Sequence, residues 1–196
     1  MIFSKIWKVI DLKMADINEF LKRYSKYYTS FKVTSYDSLN KKPLCFDETI
    51  KNIDFDKIIA DIYPNSKEYR PKSFDSIYIS GENIYCIEFK NEKTPNKVEI
   101  EEKLIDGKNE LDKIFQELNI QKREYKFIFC LVYKKHKPRE ERFKRGIQSY
   151  PIKAHLQKYK ENRFIDDIFT EDILFFSNQF KNRFKQKLEC SLKEKR

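Results

Sequence analysis

Three charged residues, Asp75, Glu88 and Lys90, stand beside two of the most apolar stretches of the sequence. Glu88 and Lys90 end the run IYCIEFKN at residues 84–91, which begins as an interior β-strand would. Asp75 directly precedes a second apolar run, SIYI, at residues 76–79. Two carboxylates and an ammonium group at one site could bind a cation and activate a water molecule, provided that the three side chains meet.

The hairpin between the two runs predicts that they do meet. Residues 80–83, SGEN, suit a short hairpin loop, and either a two-residue turn or a four-residue loop places Asp75 opposite Glu88. Cross-strand partners share one face of a sheet, with Cβ atoms about 4.5–5.5 Å apart. Lys90 follows Glu88 by two residues and lies on the same face, while Phe89 points to the other.

Two facing carboxylates repel each other unless something compensates their charge. Mg²⁺ favours oxygen ligands and commonly takes one or two carboxylates together with waters and a phosphate oxygen. The pattern therefore predicts a Mg²⁺ site, open also to Mn²⁺, with Asp75, Glu88 and the carbonyl of Phe89 as ligands. Lys90 would orient the bound water or neutralise charge that grows on a phosphate. The competing interpretation is an exposed strand end with an ordinary Glu–Lys ion pair.

The surrounding sequence predicts a small α/β core. DETIKNIDFDKIIADIY (residues 47–63) has apolar residues at roughly helical spacing with Asp47 as N-cap, and a second helix opens at Thr94–Pro95. The run YKFIFCLVY (residues 125–133) predicts a strand that is buried on both faces, which a helix-flanked mixed sheet provides. Gly107 interrupts the apolar stripe of the second helix and indicates a close helix–sheet approach.

The stretch RPKSFDSIYISGENIYCIEFKN, residues 70–91, resembles the motif region of the PD-(D/E)XK nuclease superfamily, which has a restriction-endonuclease-like fold. Those proteins place an Asp on one strand and a D/E-x-K triplet on the next, within an α-β-β-β-α-β core. The resemblance gives the catalytic positions to Asp75, Glu88 and Lys90. Phe74 stands where the family name has Pro, at a position that varies within the family.

The resemblance implies a metal-dependent nuclease with its core at residues 46–135, flanked by a helical extension at 1–45 and a basic helical region at 136–196 that packs on the core as part of one domain. The first core strand would be very short, near Lys67 to Arg70. Some family members add a carboxylate from the first core helix. Glu48 could supply it, unless it only complements the helix dipole. The resemblance covers under half of the chain and fixes no substrate, because the family includes restriction, repair, recombination, transposon and inactive proteins.

The net charge of +10 is concentrated in one segment, since residues 134–163 contain eleven Lys or Arg against three Glu. Such a basic face suits nucleic acid, because each neutralised phosphate releases condensed counterions. The competing interpretation is a solvated, lysine-rich surface. The candidate nucleic-acid contacts are Lys103 and Lys108 on the second helix, and Arg142, Lys144 and Arg145 in the basic segment.

Other classes of protein are disfavoured. No stretch approaches the roughly 18 apolar residues of a membrane helix, so we expect no membrane partner. The N-terminal MIFSKIWKVIDLK is interrupted by charges and lacks a small-residue cleavage site, which disfavours a signal peptide. The four cysteines are scattered without metal-ligand spacing, which predicts reduced thiols and a cytoplasmic location. A monomer and a homodimer both stay open.

Three functions compete on this sequence. The leading hypothesis is a Mg²⁺-dependent nuclease that hydrolyses phosphodiester bonds of DNA. The second is a catalytically inactive module that keeps the nuclease-like fold and binds nucleic acid through its basic segment. The third is a phage or mobile-element accessory protein that acts through protein interactions, supported only by the aromatic-rich ends of the chain. The sequence leaves open DNA versus RNA and endonuclease versus exonuclease action.

Overall fold

The structure is a computed structural model that describes residues 17–64, 70–91, 95–134, 152–186 and 188. They form an α/β fold with a mixed six-stranded sheet and a separate two-stranded ribbon. The strands are β1 (Tyr28–Ser30), β2 (Tyr36–Asp37), β3 (Lys42–Pro43), β4 (Lys51–Asp54), β5 (Ser76–Ser80), β6 (Asn83–Lys90), β7 (Lys126–Tyr133) and β8 (Asp167–Asp172). The helices are α1 (residues 17–23), α2 (Phe31–Thr34), α3 (Phe55–Ile62), α4 (Lys97–Glu117), α5 (residues 152–161) and α6 (Ile173–Phe184).

The strand order β1-β4-β5-β6-β7-β8 follows from the connections between strands. A tight turn joins β5 to β6, so these two pair antiparallel, and Gly81 adopts the positive φ of 58° that the turn requires. The long helix α4 lies between β6 and β7, and a helical crossover of this kind joins parallel strands. β8 pairs parallel to β7 at one edge, and β1 and β4 extend the other edge by antiparallel pairing.

The predicted hairpin register is confirmed. Ile77 pairs with Cys86, and every other pair of β5 and β6 keeps this alignment. Asp75 immediately precedes β5. If the same alignment is extended by one residue beyond Ser76, Asp75 lies opposite Glu88. The hairpin therefore sets the positions of both carboxylates.

Strand β7 is covered on both faces, as its apolar sequence predicts. Phe127 and Phe129 belong to a core cluster formed with α1, α3, α4 and α5. The alternate residues Ile128 and Val132 belong to a second cluster, formed with α2 and α6. Side chains alternate between the faces of a strand, so helices on both sides bury every residue of β7 after Lys126.

Helix α4 carries the predicted apolar stripe and begins close to the predicted start. Its N-cap is Asn96, whose side chain accepts hydrogen bonds from the backbone N–H groups of Val98 and Glu99. Gly107 lies against the ring of Phe74, just before β5, and a Cβ at residue 107 would be 2.7 Å from two ring carbons. The prediction that Gly107 allows a close approach is therefore confirmed. The buried residues of the stripe are Ile100, Leu104, Leu111, Ile114 and Phe115.

The predicted helix over residues 47–63 is wrong in its first half. Lys51–Asp54 forms β4, and α3 begins after it with Asp54 as N-cap. Asp47, the predicted N-cap, instead closes a turn before the strand by accepting backbone hydrogen bonds. Ile53 is buried and pairs with β5, so sheet pairing outweighs the helical spacing of the isoleucines.

Two further differences concern strands that the sequence analysis did not predict. The strand next to β5 is β4, whereas a short first core strand was expected near Lys67 to Arg70; Arg70 is not in a strand, and residues 65–69 lie outside the described residues. Tyr28–Ser30 forms β1, and β2 and β3 also lie in the first 45 residues, which therefore contribute strands as well as helix.

The region after β7 also contains a strand, contrary to the helical prediction. Asp167–Asp172 forms β8, in which Ile168 and Thr170 are buried and Phe169 between them is more exposed. The region predicted to be helical does contain α6, which begins after its N-cap Asp172 and buries Phe176 in the second core cluster.

Among the described residues, no helix combines the length and the apolar character needed to cross a bilayer. Cys86 and Cys130 are buried free thiols, as their apolar surroundings predict. Cys45 is disulfide-bonded, which departs from the expectation that the cysteines are reduced.

We expect Gly107→Ala to lower the free energy of unfolding by about 1–3 kcal/mol, the usual cost of overpacking a core. In an ordinary helix interior this change would stabilise by about 1 kcal/mol. Here the added methyl meets the ring of Phe74, which is buried and stacked on Phe55 at 4.6 Å, so the ring has little room to move. Urea denaturation measures the effect. The exposed change Asn109→Ala on the same helix is the control and should not destabilise.

Candidate active site

A cavity of about 470 Å³ opens where the β5–β6 hairpin ends. Asp75 and the end of β6 form its floor, and the first two turns of α4 contribute Glu99 and Lys103. Residues 34–40, which include β2 and the turn after it, also line the cavity. The two predicted carboxylates and the predicted lysine Lys90 therefore border one common cavity.

Glu88 is completely buried, although it lies only two residues before the end of β6. Its Oε1 accepts a hydrogen bond from the ammonium group of Lys103 at 2.7 Å, and the Nζ atom of Lys90 lies 3.4 Å from the same oxygen. Its other oxygen, Oε2, is buried and has no hydrogen-bond partner among the described residues. An unpaired buried carboxylate oxygen is costly, so it is the atom of this site most in need of a further ligand.

Asp75 is held beside Glu88 by the backbone of β6. The backbone N–H of Phe89 donates a hydrogen bond to Asp75 Oδ2 at 2.6 Å, and Lys103 Nζ lies 3.6 Å from Oδ1. The N–H and C=O of one strand residue point to the same side, so the carbonyl of Phe89 is directed toward the side of β6 where Asp75 lies. This orientation agrees with the predicted ligand role of the carbonyl, which stays a prediction.

Both carboxyl groups are shifted toward their neutral forms. Burial raises the pKa of Asp75 well above its usual value, and the charge of Glu88 raises it further, against the opposing effect of Lys103. Burial likewise raises the pKa of Glu88, although Lys103 and Lys90 oppose that shift. In this structure the two lysines compensate only part of the cost of burying two neighbouring carboxylates.

Lys90 is held in place by two carboxylates. Its Nζ atom lies 3.4 Å from Glu88 Oε1 and donates a hydrogen bond to Glu99 Oε1 at 2.5 Å. Burial acts to lower the pKa of Lys90, but Glu88 and Glu99 outweigh it, so the pKa is raised. Lys90 therefore carries a proton at neutral pH and can donate hydrogen bonds from the cavity floor.

Two charged residues of α4 that line the cavity were not assigned to the site from the sequence. Lys103 was expected to contact nucleic acid or to be solvated, yet its side chain is 20% exposed and contacts Asp75 and Glu88. Glu99 was not singled out. The sequence contained a signal, because Glu99 and Lys103 are four residues apart on one face of the helix that follows the Glu88–Lys90 strand.

Lys108 and Glu48 lie elsewhere. Lys108 is buried rather than solvated: its ammonium group pairs with Asp112 and stands 4.0 Å from the ring centroid of Phe127, so it is not available to a phosphate in this conformation. Glu48 precedes a strand rather than opening a helix, and its carboxylate pairs with Lys32 in a separate groove. Arg142, Lys144 and Arg145 lie outside the described residues.

The carboxylates of Asp75 and Glu88 fit a hard divalent cation that takes only part of its ligands from the protein. Among the described residues, no group of three or more His, Cys, Asp or Glu side chains is placed to hold a metal ion. Asp75 and Glu88 form a pair of carboxylates, and Glu88 Oε2 is an oxygen without a hydrogen-bond partner. Mg²⁺ is commonly bound by one or two carboxylates, with waters and phosphate oxygens completing its octahedron.

Comparisons of the chain with models of protein families, with curated proteins and with solved structures give no match.

We expect Asp75→Asn to raise the melting temperature of the metal-free protein at neutral pH. Asparagine keeps an oxygen that accepts the hydrogen bond from Phe89 and removes a partly buried charge. The pKa of Asp75 is raised on folding, so the wild type loses stability as pH rises above the unfolded value of about 4. The advantage of the variant should therefore shrink toward pH 4. Thermal melts in a chelator across this pH range measure it.

Asp61→Asn is the matched control for this experiment. A hydrogen bond from the hydroxyl of Tyr27 lowers the pKa of Asp61, so neutralising it should not raise the melting temperature. If Asp75→Asn melts well below wild type at neutral pH, then the Asp75 carboxylate is a structural group, and its role as a metal ligand loses support.

Proposed function

We propose that this protein hydrolyses phosphodiester bonds of nucleic acid, with DNA as the favoured substrate, by means of a divalent cation bound at Asp75 and Glu88. The observation that carries the proposal is the meeting of both carboxylates with Lys90 in one open cavity at the end of the β5–β6 hairpin. This is the arrangement that the resemblance to the PD-(D/E)XK superfamily implies.

Each side chain has a distinct task in this proposal. Asp75 and Glu88 would hold Mg²⁺ or Mn²⁺, which when bound makes a coordinated water more acidic and neutralises charge on the phosphate. Lys90 is protonated, so it acts as a hydrogen-bond donor rather than as a base. Its ammonium group would contact a phosphate oxygen or orient the attacking water. Glu99 positions Lys90 through their hydrogen bond.

An aromatic and basic surface beside the cavity supports nucleic acid as the ligand. Of the large hydrophobic residues exposed in the described part of the chain, most come from residues 28–46. Tyr36 borders both the cavity and a neighbouring groove lined by Tyr28, Lys32 and Lys51. Exposed aromatic rings that stack on bases, next to lysines that contact phosphates, are typical of proteins that bind single-stranded nucleic acid.

A second candidate is the catalytically inactive nucleic-acid-binding module. The observation that favours it is the ion pairing of Lys103 with Glu88 and Asp75, which already supplies positive charge to both carboxylates. In that case the aromatic and basic surface would bind nucleic acid without cleavage. A protein that binds DNA but shows no divalent-cation binding by calorimetry would support the module over the nuclease.

We expect the wild type to cleave nucleic acid in Mg²⁺ or Mn²⁺ and not in chelator, and we expect Lys90→Ala to reduce the rate at least about 100-fold. Lys90→Ala should bind the metal and DNA nearly as well as the wild type, because its proposed contact is with the reacting groups. Gel assays on duplex, single-stranded, branched and RNA substrates measure cleavage. Lys113→Ala, at an ion-paired lysine farther along α4, is the control and should cleave normally. Absence of cleavage on all four substrates would count against the proposal.

We expect Tyr36→Ala to weaken binding of single-stranded DNA by about 5- to 100-fold, the contribution of one stacked base. Fluorescence anisotropy on the Lys90→Ala background measures affinity without cleavage. The salt dependence should stay unchanged, because no charge is removed. Ile62→Ala removes an exposed apolar side chain outside residues 28–46 and is the control.

Replacing Arg142, Lys144 and Arg145 by Gln should instead flatten the salt dependence of DNA binding by roughly one unit of slope for each lost phosphate contact.

If Tyr36→Ala binds single-stranded DNA as tightly as the protein with Tyr36, then the aromatic surface is not part of the proposed substrate path.

A further inference from the structure

Lys103 occupies the space beside both carboxylates of the candidate site. Its Nζ atom lies 2.7 Å from Glu88 Oε1 and 3.6 Å from Asp75 Oδ1. A divalent cation held by these two carboxylates would need the same neighbourhood. The chain thus supplies a cation of its own beside the position where the proposed metal would bind.

We propose that Lys103 is an internal counter-ion that competes with the divalent cation for Asp75 and Glu88 and thereby sets the affinity of the site for that cation. The inference rests on the proposed function in one respect, that these carboxylates are the metal ligands. It adds that the metal-free and metal-bound forms differ in the position of one lysine.

The competition follows from charge and distance. An ammonium group and a divalent cation that share carboxylate ligands would stand within a few ångströms of each other, and in a partly buried cavity like charges at that separation repel strongly. The Lys103 side chain is 20% exposed, so water screens the repulsion only in part. Metal binding therefore requires Lys103 to withdraw from Glu88, at a cost that reduces the apparent affinity.

Lys103 is free to withdraw in a way that Lys90 is not. Lys90 is part of strand β6 and is fixed by Glu88 on one side and Glu99 on the other. Lys103 reaches the site from α4 by a flexible side chain, and its charge also interacts with Asp56 of α3, whose side chain is 58% exposed. The two lysines thus divide the tasks: Lys90 stays at the cavity floor, and Lys103 exchanges with the cation.

The same arrangement accounts for how the metal-free protein tolerates its buried charges. Without Lys103 and without a metal ion, Glu88 would have only Lys90 at 3.4 Å as a positively charged neighbour among the described ion pairs. Lys103 adds the shorter contact and reaches Asp75 as well. It stabilises the empty site until a stronger cation replaces it.

The test uses the full chain with Lys103→Met, Lys103→Arg and Lys108→Met. Methionine removes the charge and keeps most of the side-chain volume, and arginine retains the charge. Lys108→Met removes another largely buried, ion-paired lysine of α4 that does not contact Asp75 or Glu88. Calorimetry with Mg²⁺ and Mn²⁺ measures affinity, and thermal melts with chelator or with saturating cation measure stability.

We expect Lys103→Met to melt below wild type in chelator and to recover when the cation is added. Its affinity for the cation should be at least about tenfold higher than that of wild type, because the competing charge is gone. Lys103→Arg should bind the cation much more like wild type. Lys108→Met should also lose stability, without recovery by the cation and without a gain in affinity.

Equal or weaker cation binding by Lys103→Met overturns the inference, and the metal site of the proposed function would then stand. Absence of cation binding by both wild type and Lys103→Met overturns both. Binding by Lys103→Met together with a wild type that binds no cation and cleaves no nucleic acid would support the competition and overturn the proposed nuclease function. It would identify Lys103 as a permanent replacement for the metal.

Discussion

The complete burial of the Glu88 carboxylate is the constraint on which the rest of the site depends. A buried charge is costly unless positive groups and hydrogen-bond donors surround it. β6 brings Lys90 and α4 brings Lys103 to the same oxygen of Glu88, Oε1. Neither lysine contacts Oε2, which remains without a hydrogen-bond partner in the described structure. The fold thus buries a carboxylate and satisfies only one of its oxygens, an arrangement expected where a ligand completes the site.

Ordinary rules of sheet and helix packing produce this arrangement. The tight turn at Gly81 fixes the register of the hairpin, and the register puts Asp75 beside Glu88. The crossover helix must then pack on the sheet between β6 and β7, and the absence of a side chain at Gly107 lets it approach the ring of Phe74. That approach holds the first turns of α4 over the ends of β5 and β6. Lys103 therefore reaches the carboxylates because of a contact one helical turn farther along the chain.

The sequence was sufficient for the features that local pattern determines, such as the hairpin register, the doubly covered strand β7 and the stripe of α4. It was insufficient where two patterns competed or where partners are distant in sequence. The isoleucines around Ile53 fit a helix and a strand equally, and pairing with β5 decides the outcome. β8 becomes a strand because β7 offers it an edge. The sequence indicated Lys103 as a candidate phosphate contact. The contact of its side chain with Asp75 and Glu88 depends on how closely α4 packs on the sheet, and residue spacing alone does not predict that distance.

The charges of the cavity connect cation binding to substrate binding. Asp37, Asp75, Glu88 and Glu99 line the cavity together with Lys90 and Lys103, so these four carboxylates and two ammonium groups in their ionised forms leave two negative charges, a poor environment for a phosphodiester. A divalent cation would cancel both charges and so remove the net repulsion of the phosphodiester. Withdrawal of Lys103 would also free its ammonium group for a phosphate oxygen, the contact first expected of it. On this argument the cation and the nucleic acid each favour binding of the other, and the empty site repels a substrate that it is not yet able to cleave.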